Sequence, residues 1–249
     1  MITPEQVRAS AVQMADAVGL MAAPVGVRLL TDADGGTPRE AEPLVRHRYC
    51  QALMLARSGR HVWLDGANLA CPAAAAAFGF RPLPAGLASG QGLVGFGIVA
   101  DPVVGQRMFA AMPHLAPQSL QGLHLFPLAE AQAVPDIVVI EDEVETLMWV
   151  ALAYLHATGG ERVQSSTAVL QATCVDCAIV PYLEQRLNFT YGCYGCRDAT
   201  DLGRNEAALG FPVRWLPDIV THLGYLAEKA IPAARSKRAW SALSRGAQA

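Results

Sequence analysis

Asp136-Ile137-Val138-Val139-Ile140, running into Glu141-Asp142-Glu143, is the stretch that decides the fold class. Four successive branched apolar residues leave no polar face for water, the mark of a strand buried within a sheet. The acidic residues that follow suit the first turn of a helix, predicted over 143–157 and stopped by Gly159-Gly160. Similar units lie on either side. Upstream, strands are expected over 24–30, 61–64 and 122–128. Thr3-Pro4-Glu5-Gln6 reads as a capping box that opens a helix reaching Leu20. A second helix is read over 40–57, ended by Gly59, and Cys71-Pro72 with its alanine run to Gly79 reads as a short helix capped by Cys71. Glycine and proline are dense over 82–105, which predicts a loop or lid, followed by a helical segment over 103–112. Downstream come a strand over 163–167, a helix over 168–180, an extended segment over 187–191 and a last helix over 217–230. No internal repeat is found. The alternation gives an α/β fold: a single domain over 1–232, with a mixed sheet and helices packed on its faces, then a basic C-terminal tail over 233–249.

The 249 residues are enough to bury a core without disulfides. Although 52% of residues are apolar, no uncharged run is long enough to cross a bilayer, and the first residues lack the features of a secretory signal. A cytoplasmic, reducing location is expected, where free or metal-bound thiolates outnumber disulfides. With a net charge of −3, the only basic cluster is Arg235-Ser236-Lys237-Arg238, which reads as a solvated tail; nucleic acid is not expected as a partner.

Six cysteines carry the chemistry. Cys174 with Cys177, and Cys193 with Cys196, form two Cys-x-x-Cys pairs separated by fifteen residues, within the spacing of a four-thiolate metal site. Cysteines three apart can meet one ion as helix neighbours or around a tight knuckle. Gly192 and Gly195 let the backbone fold closely around a metal at the second pair. The first pair sits in an apolar helical context, where cysteines also serve as packing residues. Cys71, at a helix N-terminus, is the replacement ligand, or a nucleophile, although no histidine motif supplies a base. Cys50 reads as helix core. Gly90-Gln91-Gly92-Leu93-Val94-Gly95 matches a dinucleotide fingerprint but lacks the preceding strand.

Arg48-Tyr49-Cys50-Gln51-Ala52-Leu53, Cys71-Pro72, Gln171-Ala172-Thr173-Cys174-Val175-Asp176 and above all Gly192-Cys193-Tyr194-Gly195-Cys196-Arg197-Asp198 resemble the uncharacterised ArCR family. The similarity runs over about 24–232 and implies one domain with no assigned activity. It also implies that the position of Cys177 is often a small residue other than cysteine, which promotes Cys71. The candidate metal ligands are therefore Cys193 and Cys196, then Cys174 and Cys71, then Cys177.

A [4Fe–4S] cluster is the expected cofactor and zinc the alternative, because no histidine or carboxylate lies in a zinc motif and a domain of this size needs no structural zinc. The expected role is electron transfer, or redox support of a partner protein. The alternative is a small-molecule-binding or maturation factor whose 82–105 loop closes over its ligand.

Overall fold

The computed structural model describes residues 2–246. Seven strands form one mixed sheet: β1 (Val25–Leu30), β2 (Glu42–Pro43), β3 (Val62–Asp65), β4 (Gly122–Pro127), β5 (Ile137–Glu143), β6 (Asn188–Thr190) and β7 (Glu206–Pro212). Their order is β2-β3-β4-β1-β5-β7-β6, antiparallel throughout except for the β2–β3 pair. The helices are α1 (Pro4–Val18), α2 (Tyr49–Arg57), α3 (Pro72–Ala77), α4 (Ala85–Ala88), α5 (Gln91–Gly95), α6 (Pro102–Ala110), α7 (Val144–Ala157), α8 (Val180–Glu184), α9 (Tyr194–Ala199), α10 (Leu216–Glu228), α11 (Ala230–Arg235) and α12 (Arg238–Gly246). The fold class is thus α/β with a mixed sheet, and no helix is long and apolar enough to cross a membrane among the described residues.

The deciding stretch forms β5, hydrogen-bonded to β1 on one side and β7 on the other. Strand alternation sends Ile137 and Val139 to one face, and Val138 and Ile140 to the other. On the first face they pack with Leu53 of α2, Phe78 beside α3, and Cys177 and Ile179. On the second they join Met14 of α1, Val150 of α7 and Leu223 of α10. Each such branched side chain, taken fully out of water, contributes about 1.5–3 kcal/mol. The capping box at Thr3 and Gln6 is present at the start of α1.

Four local expectations are corrected. The helix expected over 40–57 begins at Tyr49, because Glu42 and Pro43 pair with Val62 and Trp63 as a short edge strand, where proline's missing N–H costs little. The 82–105 region carries two short helices, α4 and α5, ahead of α6, rather than an irregular loop, and α6 is the helical segment expected over 103–112. Gly90, at φ 79°, makes the turn into α5, and a Cβ there would meet the Pro102 carbonyl at 1.9 Å. No strand precedes this turn, so the dinucleotide pattern has no phosphate-binding context. Residues 163–167 form no strand; Asn188 on β6 holds Ser166 instead, accepting from its N–H at 2.8 Å and donating to its carbonyl at 2.9 Å. Finally, β7 escaped the sequence reading, because Gly203, Asn205 and the two alanines of Glu206–Pro212 dilute its apolar pattern.

The helix expected over 168–180 is a π-helix, Ala172–Ile179, entered through Gln171 at φ 52° and buried along its whole length. It lies directly on β7. A Cβ on Gly210 would sit 1.8 Å from the Cys177 carbonyl oxygen and 2.9 Å from its Cα, so only glycine permits this approach. The Asn188 amide secures the same helix, donating to the Asp176 carbonyl at 2.8 Å.

Candidate metal centre

Three chain segments begin helices at one end of the first face, each with a cysteine in its opening turn. Arg48 caps α2, whose second residue is Cys50; Cys71 is the N-cap of α3, ahead of Pro72; Cys193 is the N-cap of α9. The Cys193 sulfur accepts the Cys196 N–H at 3.4 Å, leaving the two sulfurs 3.2 Å apart. Gly192, at φ 85°, makes the turn, and Arg197 locks it by donating to the carbonyls of Tyr191, Gly203 and Glu206. Arg48 donates to the Gly195 carbonyl at 3.1 Å and Gln51 to that of Ala199 at 3.3 Å, so α2 and α9 are fastened together across the cysteines.

The π-helix supplies the fourth segment. Cys174 donates to the Gln171 carbonyl at 3.4 Å, and Thr173 Oγ1 lies 3.5 Å from the Cys196 sulfur. Cys50, Cys71, Cys174, Cys193 and Cys196 all line a single cavity of about 470 Å³, whose opposite wall is apolar and includes Leu87, Leu93, Phe96 and Phe109. That wall comes from the α4–α6 segment. Of the candidate ligands, Cys71, Cys174, Cys193 and Cys196 therefore meet on this cavity. Cys177 does not. It is fully buried in the core against the sheet. In an α-helix, positions three apart differ by about 60° around the axis, but the wider π winding roughly doubles that angle, and Cys174 and Cys177 turn apart.

Cys50 is the residue that sequence reasoning undervalued. A helix starting near residue 40 places it mid-helix, whereas the actual start at Tyr49 places it in the opening turn beside Cys196. Pro43 and the Arg48–Gln51 capping pair were the signals for the later start.

All six thiols are free, and the environment resists ionising the four for which a shift is resolved. Burial pushes Cys174 and Cys177 up, Cys174 also through its neighbour Cys71. Cys193 is raised first by its hydrogen bond to Cys196 and then by burial. Cys196 is favoured as an anion by Cys193, yet its hydrogen bond with Cys50 and its burial carry it up to about 11. A bound cation reverses this balance, because it stabilises the thiolates directly. The start of α9 acts in the same direction, its Cys196 N–H donating to the Cys193 sulfur. Among the described residues no three of these sulfurs come within 4.8 Å of one another, so the ring is wider than a single tetrahedral ion with bonds of about 2.3 Å requires.

No curated protein and no solved structure matches the chain. A family model described as uncharacterised ArCR, a domain of unknown function, matches residues 13–222, which include the whole sheet and all six cysteines. The chain belongs to the uncharacterised ArCR family.

Proposed function

We propose that the protein is a cytoplasmic iron–sulfur protein, holding a [4Fe–4S] cluster on Cys71, Cys174, Cys193 and Cys196 and acting in electron transfer or in redox support of a partner enzyme. The observation that carries this reading is the meeting of five cysteines, drawn from four chain segments, on one largely apolar cavity. The donor set fits the group: all sulfur, with no competing carboxylate or imidazole on the lining. When bound, the cluster supplies one-electron chemistry. The protein's own residues hold the thiolates, donate the Cys196 N–H to the Cys193 sulfur, and line the opposite wall with apolar side chains of the α4–α6 segment, all of which tune a cluster's potential.

The size of the cavity favours a second reading, in which zinc holds the fold and a small apolar ligand occupies the space beneath Leu87 and Phe96. Anaerobic purification with iron, acid-labile sulfide and zinc analysis separates the two. About four irons and four sulfides per chain, with broad visible absorption bleached by dithionite, support the cluster. A colourless protein with no sulfide and stoichiometric zinc that is lost on Cys193→Ser replaces the cluster with the second reading.

A further inference from the structure

The opposite face of the sheet carries a separate group of side chains that the cysteine centre does not use. His124 on β4 is only 2% exposed, yet neither ring nitrogen has a hydrogen-bond partner. Such orphaned buried nitrogens are rare and costly in a native fold. The ring of His61, preceding β3, lies with its centroid 5.7 Å from that of His124, and its Nδ1 is likewise buried without a partner. Glu40, in the turn ahead of β2, completes the group: one ligand atom from each of Glu40, His61 and His124 lies within 4.8 Å of the other two.

We infer that Glu40, His61 and His124 form a second metal site, for a divalent first-row transition ion, with coordination positions left open beyond the two imidazoles and one carboxylate. Two histidines and a carboxylate are the donor set of open zinc and ferrous sites. Bonds of about 2.0–2.1 Å place tetrahedral ligand atoms about 3.4 Å apart, so the side chains need to close by at most about 1.4 Å.

The surroundings agree. Glu130 Oε2 lies 3.4 Å from His61 Nε2, the carboxylate partner that orients a ligating imidazole and leaves Nδ1 as its lone-pair donor. Arg28, opposite His124 in the sheet, is paired with Asp34 at 3.4 Å. Phe126 stacks at 5.6 Å on His61 and lies 4.7 Å from His124, which fixes both rings against a dry wall. An ion here satisfies nitrogens that the fold otherwise leaves unpaired.

The test uses the full chain carrying Cys193→Ser and Cys196→Ser, so that the thiolate centre cannot contribute. Titration with Co²⁺ should give one bound ion per chain with weak d–d bands and no thiolate-to-metal charge transfer, and Zn²⁺ should displace it. Adding Glu40→Gln should weaken zinc at least tenfold, and Glu130→Gln, outside the ligand set, by about 10–100-fold. His124→Phe should abolish binding while leaving the metal-free protein at least as resistant to denaturant, because an unpaired buried imidazole is removed. Absence of a bound ion in the Cys-substituted chain, binding that persists unchanged in Glu40→Gln and His124→Phe, or a spectrum carrying thiolate charge transfer would each overturn the assignment. Because the cysteine centre is removed at the outset, its failure as an iron–sulfur site leaves this result untouched.

Discussion

Replacing Gly210 by alanine adds one methyl group at the point where the π-helix lies on β7. The new Cβ would stand 1.8 Å from the Cys177 carbonyl oxygen, and real contacts of this kind essentially never fall below 3.0 Å. The helix must therefore retreat by about 1.2 Å or more, or the strand must bend. Neither backbone is a flexible side-chain end that can swing aside. Overpacking typically costs about 1–3 kcal/mol, and a clash between two hydrogen-bonded backbones belongs at the upper end of that range. Cys174 rides on the same helix, so the retreat also moves one wall of the cysteine ring. The expected result is a lower urea midpoint with an unchanged slope, together with reduced iron or zinc per folded chain. Gly203→Ala, where a Cβ meets only the Glu206 side chain at 3.3 Å, is the control and should change both properties little. A Gly210→Ala protein with parental midpoint and full metal content would refute the claim that this contact sets the position of the π-helix.

Cys193→Ser or Cys196→Ser should each abolish bound iron and acid-labile sulfide, whereas Cys177→Ser and Cys50→Ser should retain them, as measured by iron and sulfide analysis of anaerobic preparations. Glu141 is buried, with Arg57 Nε 3.6 Å away, and burial raises it from 4.5 to about 7. Its proton is thus held more tightly in the folded than in the unfolded chain. This contribution to stability is full below pH 4.5 and is lost as the pH rises through about 7, amounting to ~3 kcal/mol at most. Glu141→Gln should flatten that part of the denaturant-midpoint profile; a slope as steep as the parent's would assign the dependence to other groups. Asn188→Ala strips the Asp176 carbonyl of its buried donor and should cost about 1–3 kcal/mol in urea unfolding, with Asn188→Asp no better.

The central strand, the opening capping box and the Cys71 helix start were legible because each rests on a local signal: an unbroken apolar run, a side-chain pattern three residues long, a proline after a cap. Edge strand β2 was not, since two residues paired only through β3 leave no periodicity to read. The π-helix was equally hidden. Its winding is set by the Gln171 turn and by the close fit to Gly210, a residue separated from it by more than thirty positions in the chain. That one feature decides which of Cys174 and Cys177 reaches the cavity. Cys193 and Cys196 could be paired from their spacing and flanking glycines, but the presence of Cys50 beside them depends on tertiary packing of α2 against α9. The Glu40, His61 and His124 group left no motif at all, because its members come from three segments that only sheet register brings together.

The order in which the cysteine segments occur along the chain has a consequence for biogenesis. Cys50 and Cys71 leave the ribosome more than a hundred residues before Cys193 and Cys196, and β1 waits for β4 and β5 before either of its edges is covered. Long-range pairings of this kind form slowly, since loop closure precedes any gain from contact. Until α9 docks on α2, the early thiols stand in an unfinished wall, open to solvent, oxidants and stray metal ions. Under the proposed function, loading of a cluster is therefore a late event in the life of the nascent chain, and a cell growing in air would expose these sulfurs to damage during synthesis more than at any time afterwards.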